Sequence, residues 1–283
     1  MKAPLAAPAE PAFPTHAAPR PDAIIDLILG YRQAKALFVA ADSDCFARLE
    51  VPRTASELAG LLGWNVRAAE ILLDALTAMG YVSKEAGLYR NTAIAGRFLV
   101  PGRPGYLGDN LRFQELIWEA WSGLGGAMKR GFPLRGLGHW LGRRRGFARE
   151  YIRGMDNIAK RPAAEIAEVV ACPGARSLLD VGAGPGTYSM AFLDRNPALK
   201  ATLLDLPGTL KITRELLSAR PELAPRLRLK AGDYRRASFG RGEHDLVLMS
   251  HITHDESPEV VRRLLRKAHE ALRPAGRIVI HDF

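Results

Sequence analysis

Three alternate glycines, Gly182, Gly184 and Gly186, end an apolar run that begins at Leu178. This pattern is typical of a buried parallel strand that turns into a helix around a nucleotide, because glycine lacks the Cβ atom that would keep the backbone away from a ligand. The helix that follows adds exposed N–H groups. A dinucleotide fingerprint would place its third glycine at Thr187, so the spacing points away from NAD.

Acidic or polar residues also end the other predicted strands. Asp205 ends the second strand and suits the two hydroxyls of a ribose, while Asp233 follows the third and could accept a hydrogen bond from an adenine amino group. Open parallel sheets bind ligands at the carboxyl ends of their strands, although a single such acid is more typical of a cap or a turn. The predicted cofactor-binding residues are Asp180, Gly182, Gly184, Gly186, Asp205, Leu206, Gly232, Asp233, Tyr234 and Ser250.

Two histidines follow the fourth predicted strand, which spans 245–250. His251 and His254 precede Asp255, and Ser257 and Pro258 then have the types expected at the start of a helix. A lone histidine at such a place is most often structural. A pair beside an aspartate at the ligand-binding end of a sheet favours a proton-transfer role.

The composition predicts a soluble chain long enough for two domains. It has 283 residues, 47% of them hydrophobic, and contains no apolar run of 18 residues, so we expect no membrane span. Cys45 and Cys172 are too few for a disulfide framework or a zinc site, which favours a reducing cytoplasm. We expect no metal ion.

The first third of the chain predicts a tail and a winged helix-turn-helix. Residues 1–21 are rich in proline and alanine and predict a disordered tail. An amphipathic helix over 22–41 precedes two capped helices over 54–63 and 65–79. Residues 81–92 then read as two short strands around a Glu-Ala-Gly turn, the wing of the motif.

The second helix of this motif is a poor candidate for reading DNA. It carries Arg67 against Glu70 and Asp74, whereas a helix in the major groove should offer basic and amide side chains. The apolar surplus of these helices instead favours packing against a second copy of the chain. We therefore expect a homodimer through residues 22–100.

The middle of the chain, 106–165, predicts helices with two unusual features. Its aromatic residues belong to the core or line a pocket for a flat apolar substrate. Residues 129–161 hold ten Lys or Arg against two acids. This excess of positive charge indicates either solvated helix faces or a surface that attracts an acidic partner. The aromatic residues are Trp118, Trp121, Phe132, Trp140, Phe147 and Tyr151.

With the winged region, the glycine loop and Thr253-His-Asp-Glu-Ser257 in place, the chain resembles the plant-type, class I S-adenosylmethionine-dependent small-molecule O-methyltransferases. Their bacterial relatives include hydroxyneurosporene-type enzymes. The resemblance runs from about residue 22 to the end. It implies an α/β Rossmann-like methyltransferase domain behind a mostly α winged-helix dimerisation domain. It also implies S-adenosylmethionine as cofactor and a hydroxyl acceptor on a flat phenolic, polyketide or carotenoid-like molecule.

The resemblance also assigns roles to individual residues. His254 corresponds to the family's base, Asp255 to its neighbour, and Asp282 to a second acid that is usually glutamate in plant members. Met155 matches a methionine that contacts substrate, and Tyr151 lies in the same short motif.

The implied domains are a dimerisation domain over 22–105, a helical linker with the substrate pocket over 106–165, and the cofactor-binding domain over 166–283. The family continues past its fifth strand with another helix and a strand pair, so this last domain is expected to be truncated at its C-terminus.

Two alternatives stay open at this point. The winged helix and the basic segment could make the protein a nucleic-acid-binding regulator or an RNA methyltransferase, in which case phosphate contacts would make binding strongly dependent on salt. An oxidoreductase would bind NAD in place of S-adenosylmethionine.

Overall fold

The computed structural model describes residues 21–132 and 146–282. All of the predicted tail except Pro21 lies outside these residues, as does Trp140.

Within the described ranges, no helix has both the length and the apolar character needed to cross a bilayer.

The N-terminal region is a helical unit with a two-stranded wing, as the sequence predicts. Thr54 begins the third helix with a capping box, because its side chain accepts from the Glu57 N–H while Glu57 accepts from the Thr54 N–H. Asn65 caps the fourth helix with a single hydrogen bond, which its side chain accepts from the N–H of Ala68. The elements are α1 (Asp22–Asp42), α2 (Cys45–Arg48), α3 (Ala55–Leu62), α4 (Val66–Ala78), β1 (Val82–Glu85), β2 (Leu88–Asn91) and α5 (Ala93–Phe98).

The core of this unit joins α2, α3 and α4 through Phe46, Leu58 and Leu73, and it includes Val82 and Tyr89 of the wing. Ile71, on the same helix as Leu73 and Leu76, is 61% exposed. The buried side of α4 carries Ala69, Leu73 and Leu76, which leaves an apolar side chain on the surface.

Three helices connect the N-terminal unit to the sheet: α6 (Gly108–Ser122), α7 (Leu124–Arg130) and α8 (Phe147–Val170). Gly154 lets α8 approach α6 closely, since a Cβ there would lie 3.1 Å from the Cα of Asn110. Further along, Ala163 and Ala167 pack α8 into the core beside the sheet. Pro162 lies inside α8 and supplies no backbone N–H to its hydrogen-bond ladder.

The C-terminal region is an α/β domain with a five-stranded sheet in the order β5-β4-β3-β6-β7, all parallel. The strands are β3 (Ser177–Val181), β4 (Lys200–Asp205), β5 (Leu227–Ala231), β6 (His244–Ser250) and β7 (Leu272–His281). The helices are α9 (Thr187–Arg195), α10 (Pro207–Leu217) and α11 (Pro258–Ala271). The central strand β3 is almost entirely buried, as its apolar run predicts.

The register of the sheet brings the chemically interesting strand ends to one edge. Asp205 pairs with Ala231, and Ser250 pairs with His281. The glycine loop follows Val181 at the same edge. One edge of the sheet therefore carries nearly every residue that the sequence marks for chemistry.

Candidate active site

The glycine loop leaves β3 in left-handed backbone conformation at all three glycines, with φ of 67° at Gly182, 53° at Gly184 and 81° at Gly186. A Cβ at Gly182 would collide with Ile252, and one at Gly186 would lie 2.7 Å from Leu203. Among the described residues, apart from its neighbours in the chain, no atom lies within 4 Å of the position where a Cβ of Gly184 would stand. The loop is thus packed on two sides and open at Gly184, which fits the close approach of a ligand.

Asp205 lies beside this open position at the end of β4. One carboxylate oxygen accepts from the Gly184 N–H at 2.8 Å, and the other accepts from the Leu206 N–H at 2.6 Å. Burial raises the pKa of Asp205 above its usual value, although these two N–H groups act in the opposite direction. The carboxylate therefore ties β4 to the glycine loop where the sequence predicts a ribose contact.

Asp180 lies in β3, just before the glycine loop, and is buried. It is 2% exposed and accepts a 2.6 Å hydrogen bond from the Ser189 hydroxyl. Burial raises the pKa of Asp180 to about 7, and the nearby charge of Asp205 acts in the same direction. Its predicted role in cofactor binding stays a prediction.

The turn after β5 holds three further predicted residues. Gly232 donates its N–H to the carbonyl of Asp205, and the Asp233 side chain accepts from the Arg235 N–H at 2.9 Å. Asp233 therefore caps its own turn in this structure, and its predicted adenine contact stays a prediction. The Tyr234 hydroxyl donates to Glu256 at 2.6 Å. Burial is the larger cause of the raised pKa of Tyr234, and the hydrogen bond with Glu256 is the next.

Glu256 is a site-region residue that the sequence analysis missed. Its side chain is 4% exposed and also accepts a 2.7 Å hydrogen bond from Arg235. Glu256 therefore joins the turn after β5 to the segment that carries His254. Only its position two residues after His254 could have signalled this contact.

His254 and Asp282 form the most direct contact of the site. His254 lies in the short helical turn Thr253–Asp255, and its Nδ1 is 2.7 Å from Asp282 Oδ1. The second oxygen of Asp282 accepts from the N–H of Thr253 at 3.0 Å and from its hydroxyl. Burial raises the pKa of Asp282, but these hydrogen bonds outweigh it and the net pKa lies below the usual value.

Asp255 lies on the other side of the same imidazole, with Oδ1 3.6 Å from His254 Nε2. The structure thus brings all three predicted catalytic residues together. An imidazole held by a carboxylate at one nitrogen can accept a proton at the other.

A second polar group adjoins the His254 turn. The Tyr188 hydroxyl lies 3.3 Å from His251 Nε2 and 3.1 Å from His281 Nδ1. His281 also lies 3.4 Å from the Ser250 hydroxyl, so the predicted cofactor residue Ser250 belongs to this group. His251 has φ of 55°, and burial lowers its pKa. The sequence analysis missed Tyr188 and His281, which lie 93 residues apart in the chain.

The predicted substrate residues lie on α8. The ring of Tyr151 packs on that of Phe113, with the ring centroids 5.1 Å apart. Burial is the largest cause of the raised pKa of Tyr151, and the charges of Asp255 and Asp205 act in the same direction. Met155 is half-buried one helical turn further on. On the same helix, Asp156 accepts from the Thr187 hydroxyl at 2.6 Å and so links α8 to the glycine loop.

The other aromatic residues divide between two places. Phe147 is buried and contacts Phe113, whereas Trp118 packs on Tyr31 and Phe38 of α1. Trp121 and Phe132 are exposed. Trp118 therefore belongs to the packing of α1 on α6.

Comparison with known proteins gives two family matches that cover most of the chain. An O-methyltransferase domain matches residues 110–283, and an O-methyltransferase dimerisation domain matches residues 25–101.

Individual relatives support the same assignment. The chain is 29% identical to 3-hydroxy-5-methyl-1-naphthoate 3-O-methyltransferase of Streptomyces sahachiroi over 93% of this chain and 77% of the relative. It is 30% identical to the N,N-dimethyltransferase OxyT of Streptomyces rimosus over 92% and 77%. The solved structure of PigF with SAH, an S-adenosyl-L-methionine-dependent methyl transferase of Serratia, superposes with a TM-score of 0.83 at 25% identity, covering 93% of this chain and 81% of that one. The predicted fold class is confirmed.

Proposed function

The chain belongs to the O-methyltransferase family, and from this premise we propose that it methylates a hydroxyl of a flat small molecule with His254 as the general base. The cofactor of the family is S-adenosylmethionine. The observation that carries the proposal is the 2.7 Å contact between His254 Nδ1 and Asp282, at the sheet edge that holds the glycine loop.

The residues at this edge fit the cofactor. S-adenosylmethionine supplies an activated methyl group on a sulfonium, so the protein has to align the acceptor and remove one proton. Gly184 gives the ligand access to the backbone, and the Asp205 carboxylate suits two ribose hydroxyls. The remaining residues proposed to hold it are Asp180, Gly182, Gly186, Leu206, Gly232, Asp233, Tyr234 and Ser250.

His254 would take the acceptor's proton at Nε2, because Nδ1 is engaged with Asp282. Asp282 then fixes the tautomer and orientation of the ring and stabilises the imidazolium, and its lowered pKa keeps it anionic. A phenol titrates near ~10 and histidine near ~6.5, so proton loss has to accompany attack on the methyl group. Asp255, 3.6 Å from Nε2, adds negative charge beside the developing cation.

The relatives differ in the atom that they methylate. One relative is named as a 3-O-methyltransferase of a naphthoate, and another is named as an N,N-dimethyltransferase. The fold itself therefore does not fix the acceptor atom. An amine acceptor can lose its proton after methylation, whereas a hydroxyl has to lose its proton as it attacks. A histidine–carboxylate pair assists the removal of that proton. This pair therefore favours a hydroxyl here, on a phenolic, polyketide or carotenoid-like molecule, with Tyr151 and Met155 as substrate contacts.

We also propose that the protein is a homodimer through its N-terminal domain. The chain carries the family's dimerisation domain, and α1 exposes Ile24, Leu27 and Ile28 to solvent. The nucleic-acid alternative gains no support from these relatives. Several cations of the basic segment are also engaged locally, such as Arg149 with Glu215 and Lys160 with Asp156.

His254→Ala tests the function directly. With labelled S-adenosylmethionine and a panel of phenols and polyene alcohols, we expect methyl transfer to fall by about 10² to 10⁴, the usual contribution of a general base. Cofactor affinity measured by calorimetry should stay nearly unchanged, because the glycine loop and Asp205 lie on other strands. His269→Ala, on the exposed surface of α11, is the matched control and should keep the full rate. Full activity in His254→Ala would show that the base lies elsewhere.

A further inference from the structure

Three side chains at the sheet edge form a set of metal-ligand type. His251, His254 and Asp282 each offer one ligand atom, and these atoms all lie within 4.8 Å of one another. The cysteine pattern predicts no metal, and these three donors come together only where the segments after β6 and β7 meet. We propose that these three residues form a Zn²⁺ site, and that zinc bound there inhibits methyl transfer.

The donor set determines which ion would bind. Two imidazoles and one carboxylate suit zinc and its neighbours in the transition series, whereas Mg²⁺ prefers oxygen ligands in octahedral geometry. Three protein ligands with a fourth position for water or another small group is the usual arrangement of an open zinc site.

The geometry requires only small shifts of the three side chains. Zinc binds histidine nitrogen at about 2.0–2.1 Å, so two donors on one tetrahedral ion lie about 3.4 Å apart. The longest separation among the three donors is at most 4.8 Å, and the rings of His251 and His254, with centroids 6.0 Å apart, are both partly exposed. Rotation of partly exposed rings can supply the difference.

The backbone already directs two of the ligands toward the site. Asp282 is held by the N–H and the hydroxyl of Thr253, which fixes its carboxylate beside His254. His251 adopts φ of 55°, a conformation that is uncommon for a residue with a side chain, and its N–H donates to the carbonyl of His281 at 2.8 Å. Part of the conformational entropy that ordering the ligands would lose is therefore already lost before an ion binds.

Inhibition follows from the identity of one ligand. An ion on the His254 imidazole would take the lone pair that the proposed base needs and would disrupt the contact with Asp282. The inhibitory effect thus rests on the proposed function, whereas zinc binding itself does not. The glycine loop and Asp205 are not ligands, so cofactor affinity should be unaffected.

Calorimetric titration of the metal-free protein with ZnCl₂ tests the site. We expect one equivalent of zinc to bind and MgCl₂ to give no binding. His251→Asn should weaken zinc binding at least about 10-fold, since even residues behind the ligands contribute 10- to 100-fold. Asparagine is chosen because it tolerates the left-handed backbone at this position. His269→Asn, the surface control on α11, should bind zinc as the unchanged protein does.

Methyl-transfer assays then test the inhibition. Zinc should inhibit the unchanged protein and His269→Asn, while the rate of His251→Asn with zinc, taken relative to its own rate without zinc, should show no inhibition. Equal zinc affinity in His251→Asn and the unchanged protein would overturn the site, as would equal weakening in His269→Asn. Absence of methyl transfer in every sample would count against the proposed function, and the titration would still decide the zinc site.

Discussion

Asp205 connects the glycine loop to β4, so it is the residue at which cofactor binding is most directly testable. Asp205→Ala removes both the proposed ribose contact and the acceptor of the Gly184 N–H. Hydrogen bonds to charged groups contribute about 1.5–3 kcal/mol, so we expect S-adenosylmethionine affinity to fall by roughly 10- to 100-fold in calorimetry. Asp194→Ala, an exposed acid on α9 that pairs with Arg220, is the control and should bind normally. Unchanged affinity in Asp205→Ala would place the ribose elsewhere.

Asp180 makes a prediction about pH and stability. A carboxyl whose pKa is raised on folding binds its proton more tightly in the folded chain, so its contribution to stability is present below about pH 4 and is lost as pH rises toward 7. Asp180→Asn removes this titration while keeping an acceptor for Ser189. In urea unfolding, the variant should gain stability relative to the unchanged protein between pH 4 and 7, by at most about 4 kcal/mol. A constant difference across this range would show that the group is not destabilised by burial.

At the scale of elements, the contact between α8 and α9 links the helix of the proposed substrate contacts to the helix that follows the glycine loop. Thr187→Val keeps the shape of the side chain but leaves the Asp156 carboxylate, 13% exposed, without this donor. We expect a loss of about 2 kcal/mol in the free energy of unfolding measured with urea. Arg161→Ala breaks an exposed ion pair on the same helix, and we expect the change in the free energy of unfolding to be too small to measure. Equal stability in the two variants would mean that the contact does not hold α8.

The elements were predictable from sequence to the extent that their signals are local. Alternate glycines after an apolar run, Thr54 before α3 and Ser257 before α11 each determine a boundary through their own neighbours. Strand-end acids converge because parallel strands end at one edge.

Contacts between distant side chains were not predictable in this way. Tyr188 meets His281 across 93 residues, and Glu256 meets Tyr234 across 22, with no periodic pattern to connect them. Such contacts depend on the order of strands in the sheet, which the sequence does not display.

At the scale of the whole molecule, the apolar face of α1 predicts the oligomeric state. Leu27 is 81% exposed and Ile24 is 64% exposed, on a helix within the matched dimerisation domain. The double variant Ile24→Glu, Leu27→Glu should be a monomer in light scattering where the unchanged protein is a dimer, because two like charges would be buried in the interface. Val169→Glu replaces an equally exposed apolar residue of α8 and should leave the mass unchanged. A dimer that survives the double variant would have to form through another surface.

Pro162 has a consequence for how such a protein diversifies. α8 has 24 residues and spans about 36 Å, with Tyr151 and Met155 in its first half and Ala163 and Ala167 in the core after the proline. The missing hydrogen bond at Pro162 weakens the mechanical connection between these halves. Mutations around the proposed substrate contacts Tyr151 and Met155 are therefore expected to change which acceptor fits, while Ala163 and Ala167 keep the second half of α8 packed beside the sheet.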